Sequence, residues 1–194
     1  MNLNDFLIPT GDVCRRPGPF DRIVLSSRVR LARNLQDTPF PGRANKSERQ
    51  NLLQTMKPVI ESLRSMKEGF SEELSKLKRL EKQILVERHL ISRELASKSQ
   101  GSAIVLSMDE TFCVMINEED HLRMQAILPG LQIKEAWKSM NKMDTMLESK
   151  LPIAFSSDFG YLTACPTNLG TGIRVSAMLH LPGLVMAEHM QQTI

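Results

Sequence analysis

Aromatic residues are scarce in this sequence, which holds one tryptophan, one tyrosine and seven phenylalanines among 194 residues. Cysteine is scarce too: Cys14, Cys113 and Cys165 are an odd number and lie far apart. Such spacing excludes a disulfide framework and fits a reducing compartment. We therefore expect a cytoplasmic protein, long enough to be stabilised by its hydrophobic core without disulfide bonds.

Long hydrophobic runs are absent as well. Segment 175–187 has no Asp, Glu, Lys or Arg, but it is short and contains Pro182 and Gly183, so it does not predict a membrane-spanning helix. Asp5 interrupts the first apolar stretch, so no signal peptide is expected. The net charge of +3 comes without a contiguous basic tract. We therefore expect neither a membrane nor a nucleic acid as a partner.

The overall composition, with 41% hydrophobic and 24% charged residues, is typical of a globular domain. Residues 1–20 are rich in proline and glycine, which predicts a loosely structured N-terminal arm with a short apolar anchor at Phe6, Leu7 and Ile8. Residues 21–194 are predicted to form one domain.

Strands and helices are mixed in this domain without regular alternation, which predicts an α+β fold. Residue patterns predict strands over 23–33, 103–106, 112–116 and 160–164, and helices over 52–66, over 133–147, from Arg174 to Pro182 and after Pro182. Pro58 should kink or split the first helix, and Ser47 with Gln50 resembles its capping box. The charge-rich segment 68–98 is expected to be an exposed helix or loop.

The first segment that could form a binding or catalytic site is SSRVRLARN, residues 26–34. Because side chains alternate along a strand, Ser26, Arg28 and Arg30 should share one face. Two guanidinium groups on one face suit a polyanion such as a triphosphate, since each can bind two oxygens. The alternative is an edge strand with solvated arginines.

The second segment is NEEDHLR, residues 117–123, at the end of a strongly apolar strand. If the chain stays extended there, Glu119, His121 and Arg123 point the same way and place a carboxylate beside an arginine. The alternative is a solvated acidic turn that enters a helix, with Glu119 and Arg123 as an i,i+4 pair.

The third segment, YLTACPTNLGTGIR, covers residues 161–174. Its glycines would let the backbone approach a ligand closely, and Cys165 at a strand-to-loop junction could be a reactive thiolate if cations lie near. The alternative is a buried structural cysteine before a turn. Neither a Walker motif nor a Rossmann fingerprint is present.

Taken together and in this order, the three segments resemble the guanidino-kinase (phosphagen kinase) family, from about Asp21 to the end of the chain. ERHLIS at 87–92, LPG at 128–130 and LTACPTNLGTG resemble its bacterial protein-arginine kinase branch. The resemblance implies part of a phosphagen-kinase-type catalytic domain, with a largely antiparallel sheet flanked by helices.

The resemblance also implies site residues. Glu119 would bind the acceptor guanidinium and act as its base, and Cys165 would lie against that guanidinium. The motif arginines would hold the ATP phosphates: Arg28, Arg30, Arg123 and Arg174. Further nucleotide contacts are implied for Ser26, Ser27, Val29, His89, Val175, Ser176, Ala177 and Met178. Mg²⁺ is expected to be held mainly through ATP, without a dedicated set of protein ligands.

The implied activity is transfer of the ATP γ-phosphoryl group to arginine side chains of proteins. Two alternatives stay open: a kinase for a free small guanidino acceptor, and a non-catalytic nucleotide-binding or regulatory remnant of such a kinase.

The sequence departs from the family in one respect. Family members carry a second guanidinium-binding carboxylate and a further phosphate-binding arginine downstream of CPTNLGTG, and this sequence ends at Ile194 before that segment. We therefore expect the C-terminal part of the domain to be missing. We also expect turnover by this chain alone to be impaired, and the incomplete sheet to be covered by self-association or by a partner subunit.

Overall fold

The computed structural model describes residues 12–193. They contain eight strands and six α-helices, with loops and short 3-10 turns between them. The strands are β1 Val24–Arg33, β2 Phe70–Glu73, β3 Ala103–Leu106, β4 Phe112–Ile116, β5 Leu122–Pro129, β6 Phe155–Ser156, β7 Gly160–Tyr161 and β8 Ile173–Leu179. The helices are α1 Lys46–Glu61, α2 Arg79–Glu87, α3 Arg93–Ser97, α4 Ile133–Glu148, α5 Pro182–Met186 and α6 Met190–Thr193. The predicted α+β class is confirmed. The predicted anchor at residues 6–8 lies outside the described residues.

The main sheet has six strands in the order β2-β3-β4-β5-β1-β8, and every neighbouring pair is antiparallel. Its longest strand, β1, lies between β5 and β8. The register sets Arg30 opposite Gln125 of β5 and Arg174 of β8, and it sets Ala32 opposite Arg123. Strands β6 and β7 form a separate small hairpin.

Each face of the sheet has its own hydrophobic core. Val29 and Leu31 of β1 point to one face and pack with α1 and α4. On the other face, Ile104 and Met115 pack with Leu85 of α2 and with neighbouring residues of α3. The second core covers the half of the sheet formed by β2, β3 and β4. The strand alternation of period two therefore puts Arg28 and Arg30 on the same face as α2 and α3.

The prediction of a helix from Arg174 to Pro182 is wrong, because Ile173–Leu179 form strand β8. Helix propensity is a weak prior that tertiary pairing overrides. Here the edge of β1 offers a full ladder of partners, with Val175 opposite Val29 and Ser176 opposite Arg28. The helix expected after Pro182 is confirmed, and Pro182 is the first residue of α5.

Helix α1 differs from its prediction at both ends. Its N-cap is Asn45, whose side chain accepts from the Glu48 amide while the Glu48 side chain accepts from the Asn45 amide, so the capping box is not Ser47 with Gln50. Pro58 does not split the helix, which ends at Glu61, one turn later. Pro58 has no N–H to donate to the carbonyl four residues earlier, so the helix lacks one hydrogen bond there but continues for three more residues.

Segment 68–98 contains more structure than was expected, namely β2, α2 and α3. The predicted hairpin of β3 and β4 and the predicted helix α4 are confirmed. The predicted strand over 160–164 is reduced to Gly160–Tyr161. Within residues 12–193, no helix is both long and apolar enough to cross a membrane.

Candidate active site

Four arginines from three strands lie on one face of the sheet. Arg28 and Arg30 alternate with buried Val29 on β1, Arg174 lies directly opposite Arg30 on β8, and Arg123 comes from β5. Antiparallel partners on neighbouring strands share a face, so the register alone gathers these guanidinium groups. The sheet therefore carries a patch of concentrated positive charge.

The arginine cluster is electrostatically unfavourable without a partner. Burial, and then the charges of Arg28, Arg123 and Arg174, lower the pKa of Arg30 to about 10. The pKa of Arg28 is also lowered, first by burial and then by Arg123 and Arg174. In the described part of the chain, Arg30 Nε is buried and has no hydrogen-bond partner. A bound polyanion would satisfy this donor and relieve the repulsion.

Arg123 is held in place by a buried carboxylate. Glu118 is fully buried, and it accepts a 2.7 Å hydrogen bond from Arg123 Nη1 and another from Ser92 Oγ. Ser92 is also the N-cap of α3, where its side chain accepts from the Leu95 amide at 2.9 Å. The start of α3 and the orientation of Arg123 thus depend on the same carboxylate.

Glu119 and Cys165 line a cavity of about 120 Å³ together with Arg30, Arg123 and Arg174. Burial raises the pKa of Glu119, and the negative charges of Asp120 and Glu94 raise it further. Cys165 is partly exposed, and its Sγ lies 3.0 Å from Thr167 Oγ1. The structure thus brings together a carboxylate, a thiol and three guanidinium groups, as the sequence motifs predicted.

Asp120 fixes the loop that carries Cys165. Its Oδ1 accepts from Asn34 Nδ2 at 2.6 Å and from the Ala164 amide at 2.7 Å. Asp120 therefore ties the end of β1 to the residue before Cys165, and it is a positioning residue for the thiol.

The structure corrects both interpretations of the NEEDHLR segment in part. Residues 117–121 form a turn between β4 and β5, and Leu122 and Arg123 already belong to β5, so the turn is present but leads into a strand and not into a helix. Its acidic residues Glu118 and Asp120 are buried and not solvated. His121 is buried away from the cavity, and its Nδ1 accepts from the Leu35 amide at 3.0 Å. The ion-pair partner of Arg123 is Glu118 and not Glu119.

A second cavity, of about 200 Å³, lies along the same face. Arg28 and Ser176 line it, and Arg28 Nε donates to Ser176 Oγ at 3.4 Å. Its other lining residues include Cys14 and Ile127 and the predicted nucleotide contacts Ser26, His89, Ala177 and Met178. Arg28 neighbours both Arg30 and this cavity, so the charged patch leads directly into it.

Three of the predicted nucleotide contacts, Ser27, Val29 and Val175, do not line these cavities. Val29 lies in the hydrophobic core on the opposite face. Ser27 is fully buried on that face, where its Oγ donates to the Gly130 carbonyl and accepts from the Gln132 amide. Val175 lies opposite Val29 in the register and shares its face. The reason is the period of two, since adjacent strand residues point to opposite faces.

Several supporting residues were missed at the level of sequence, although all lie inside or beside the three motifs. Four of them are Glu118, Asp120, Asn34 and Thr167, which contact Arg123, the Cys165 loop or Cys165 itself. The fifth, Arg33, makes two hydrogen bonds to Asp144 of α4, at 3.1 and 2.6 Å, and donates to the Thr171 carbonyl at 3.0 Å. A motif of mixed polar residues indicates a site but does not show which members touch a ligand.

Within residues 12–193, no group of three or more His, Cys, Asp or Glu side chains is arranged to hold a metal ion. The arginine patch fits phosphate oxygens, and a divalent cation would fit there as part of a nucleotide complex. Mg²⁺ keeps several water ligands and commonly binds through substrate phosphates.

Comparison with models of known families gives a match over most of the chain. The family model described as ATP:guanido phosphotransferase, C-terminal catalytic domain, matches residues 51–194.

Curated relatives carry the name protein-arginine kinase. The protein from Pelotomaculum thermopropionicum is 49% identical over 176 residues, which are 89% of this chain and 49% of that protein. The protein from Brevibacillus brevis is 42% identical over 188 residues, which are 96% of this chain and 53% of that protein. This chain therefore spans about half the length of the curated relatives it matches.

Solved structures agree on the fold. The duplicated taurocyamine kinase from Schistosoma mansoni, with bound transition-state-analogue components, superposes with a TM-score of 0.79 and 25% identity, over 98% of this chain and 28% of that one. Lombricine kinase superposes with a TM-score of 0.73 and 24% identity, over 94% of this chain and 55% of that one.

Proposed function

This chain belongs to the ATP:guanido phosphotransferase family, and on that premise we propose that it binds ATP and transfers the γ-phosphoryl group to arginine side chains of proteins. The observation that carries the proposal is one cavity in which Glu119 lies beside Arg30, Arg123 and Arg174. The reaction needs groups that bind the phosphates and a carboxylate that binds the acceptor guanidinium. Arginines and a glutamate suited to these two roles line the same cavity.

The arginine patch binds the ATP phosphates in this proposal. Within residues 12–193, Arg30 Nε has no hydrogen-bond partner, and Arg123 is preoriented by Glu118. Fixed guanidinium groups stabilise the charge that develops during phosphoryl transfer without having to reorganise. Bound through the ATP phosphates and water, Mg²⁺ would offset part of the phosphate charge beside these arginines. The base and ribose extend toward the second cavity, which His89 and Ser176 line.

Glu119 binds the acceptor and takes its proton. A guanidinium is a poor nucleophile because its pKa is above about 12. The Glu119 carboxylate orients the group and accepts one proton from the attacking nitrogen. That nitrogen forms a bond to the γ-phosphorus while the bond from the γ-phosphorus to the bridging oxygen of ADP breaks. The products are phosphoarginine, ADP and the proton on Glu119, which later passes to solvent.

Cys165 lies across the same cavity and contacts the acceptor guanidinium in this proposal. The thiol is partly exposed and unpaired, and the loop that carries it is anchored by Asp120 through the Ala164 amide. It therefore helps to fix the position of the acceptor nitrogen, a factor that is worth several kcal/mol when geometry is demanding.

A protein acceptor is favoured over a free guanidino compound. The curated relatives, at 42–49% identity, are named protein-arginine kinases, whereas the structures named taurocyamine and lombricine kinase are 25% and 24% identical. The partners we propose are proteins with exposed arginines. We place the chain in the cytoplasm because the free thiol of Cys165 suits a reducing compartment.

The test is a phosphorylation assay on the whole chain. Mg-ATP and an arginine-rich acceptor such as casein are incubated with the wild type, with Glu119→Gln and with the control Glu135→Gln on α4. We expect acid-labile phosphoarginine by mass spectrometry from the wild type and the control, and a loss of on the order of a hundredfold in rate for Glu119→Gln. Phosphoarginine at the wild-type rate from Glu119→Gln would contradict the assignment.

A further inference from the structure

A groove of about 600 Å³ runs between α2 and α3 on the face of the sheet that carries the arginine patch. Val86 and Ala96 contribute apolar surface to it, and Arg79, Lys82 and Arg93 contribute basic groups. We call this feature the α2–α3 groove. Both helices pack on the second hydrophobic core, so the groove is part of the folded domain and not of a loose loop.

The charge of the α2–α3 groove is predominantly positive. Its lining includes three basic residues and a single acidic one, Glu87. Arg79 and Arg93 are exposed, while Lys82 Nζ donates to the Lys98 carbonyl at 2.9 Å. A mixed surface of this kind favours a segment with acidic and apolar side chains.

The groove lies directly beside the acceptor carboxylate. Ser92, the residue before Arg93, hydrogen-bonds to Glu118, which is the neighbour of Glu119. Glu94, the residue after Arg93, lies close enough to Glu119 for its charge to affect it. The carboxylates of Glu94 and Glu119 therefore lie a short way along the surface from the basic residues of the groove.

We propose that the α2–α3 groove docks an acidic and apolar segment of the acceptor protein next to the arginine that is phosphorylated. The inference rests on the proposed function, because the acceptor arginine is the group that Glu119 binds. An arginine that enters the cavity meets the Glu119 carboxylate, and the residues beside it meet the positive charge of Arg79 and Arg93. The complementary acceptor is thus an arginine flanked by Asp or Glu and by aliphatic residues.

A binding experiment tests the groove without requiring turnover. A short fluorescein-labelled peptide, with one arginine between acidic residues and leucines, is titrated with the whole chain and followed by fluorescence anisotropy. The double variant Arg79→Glu/Arg93→Glu reverses the charge of the groove. Both residues are the first of their helices, where a carboxylate is favourable to the helix dipole, so the fold should tolerate the change.

We expect the double charge reversal to weaken peptide binding about tenfold, since two attractive pairs become repulsive. Arg79→Gln/Arg93→Gln should have a smaller effect in the same direction. The matched control is Lys138→Glu, an exposed charge reversal on α4 across the sheet. A peptide in which Gln replaces every acidic residue should bind the wild type as weakly as the acidic peptide binds the double variant.

The outcomes separate the groove from the proposed function. Equal binding of the acidic peptide to the wild type and the double variant overturns the docking proposal, even if phosphoarginine forms. Displacement of the peptide by an oligonucleotide of equal charge, at equal concentration, overturns it as well, because the groove would then respond to charge alone. Peptide binding that depends on Arg79 and Arg93, without phosphoarginine in the casein assay, supports the groove and contradicts the proposed function.

Discussion

At the scale of single residues, Glu119 occupies an unusual electrostatic position. Burial and the nearby carboxylates of Asp120 and Glu94 raise its pKa, while Arg123 acts in the opposite direction. A carboxylate with a raised pKa is a better proton acceptor once it is ionised. The environment of Glu119 therefore favours its role as a base. Its side chain remains partly exposed.

The contribution of Glu94 can be tested by substitution. Glu94→Gln removes a negative charge near Glu119, so we expect the pKa of Glu119 to fall toward its ordinary value of 4.5. The acid limb of the phosphotransfer pH profile should then move to lower pH, because more Glu119 is ionised at any given acidic pH. Carboxyl NMR titration measures the shift, with Glu135→Gln as the control. An unchanged titration of Glu119 in Glu94→Gln would count against this account.

Gly172 is the residue that lets the third motif pass close to β1. Its φ is +63°, and a Cβ there would lie 2.6 Å from the Ala32 carbonyl oxygen and 2.6 Å from Arg33 Nη1. A side chain at this position would displace Arg33, which is bonded to Asp144 and stacked at 3.4 Å on the ring of Tyr161.

We expect Gly172→Ala to lower the free energy of unfolding by about 1–3 kcal/mol, through backbone strain and the clash with Arg33. Equilibrium urea unfolding measures the change. Gly183→Ala on α5 is the matched control: nothing lies within 4 Å of its added Cβ, and its effect should stay below about 1 kcal/mol. Equal stability of Gly172→Ala and the wild type would show that the close approach is not required.

At the scale of elements, the short helix α3 is linked to Arg123 of the arginine patch through the Ser92 side chain. Ser92 caps α3 and donates to Glu118, and Glu118 orients Arg123. A helix of five residues has little stability of its own. Its N-cap therefore matters both for the helix and for the arginine.

Ser92→Ala should lower the free energy of unfolding by about 1 kcal/mol through loss of the N-cap. It should also weaken ATP binding, because Glu118 loses the contact that helps to hold it against Arg123. Ser92→Thr keeps a hydroxyl and should restore both properties, and Ser97→Ala at the other end of α3 is the control. Thermal unfolding and nucleotide titration give the two readouts. Loss of stability with unchanged ATP affinity would contradict the link to Arg123.

The elements also show which local patterns are predictive. The period of two in β1 predicted that Ser26, Arg28 and Arg30 share a face, and β1 has this arrangement. The helical spacing of apolar residues over 133–147 predicted a helix, and α4 lies there. Strand β8 was not predicted, because its side chains permit a helix and only the free edge of β1 selects a strand. Edge pairing is a tertiary effect that local propensity does not contain.

At the scale of the whole molecule, the site is formed by distant segments that the sheet order brings together. Strands β5, β1 and β8 come from different parts of the chain, and their registers assemble Arg123, Arg30 and Arg174. The family resemblance predicted the members of this cluster. It could not predict that Glu118 binds Arg123 or that Asp120 binds the Cys165 loop. Three acidic residues are adjacent in this motif, and only the fold of the turn decides which partner each side chain contacts.

If the arginine face binds the phosphates of ATP, calorimetric titration of Mg-ATP into the whole chain and into Arg30→Gln will show it. Arg30 has a buried Nε without a partner in the described part of the chain, so the wild type should bind through it. Because a hydrogen bond to a charged group is worth about 1.5–3 kcal/mol, Arg30→Gln should bind about ten- to a hundredfold more weakly. Lys138→Gln, on the opposite face, should bind like the wild type. Equal affinity of Arg30→Gln and the wild type for Mg-ATP would contradict the account.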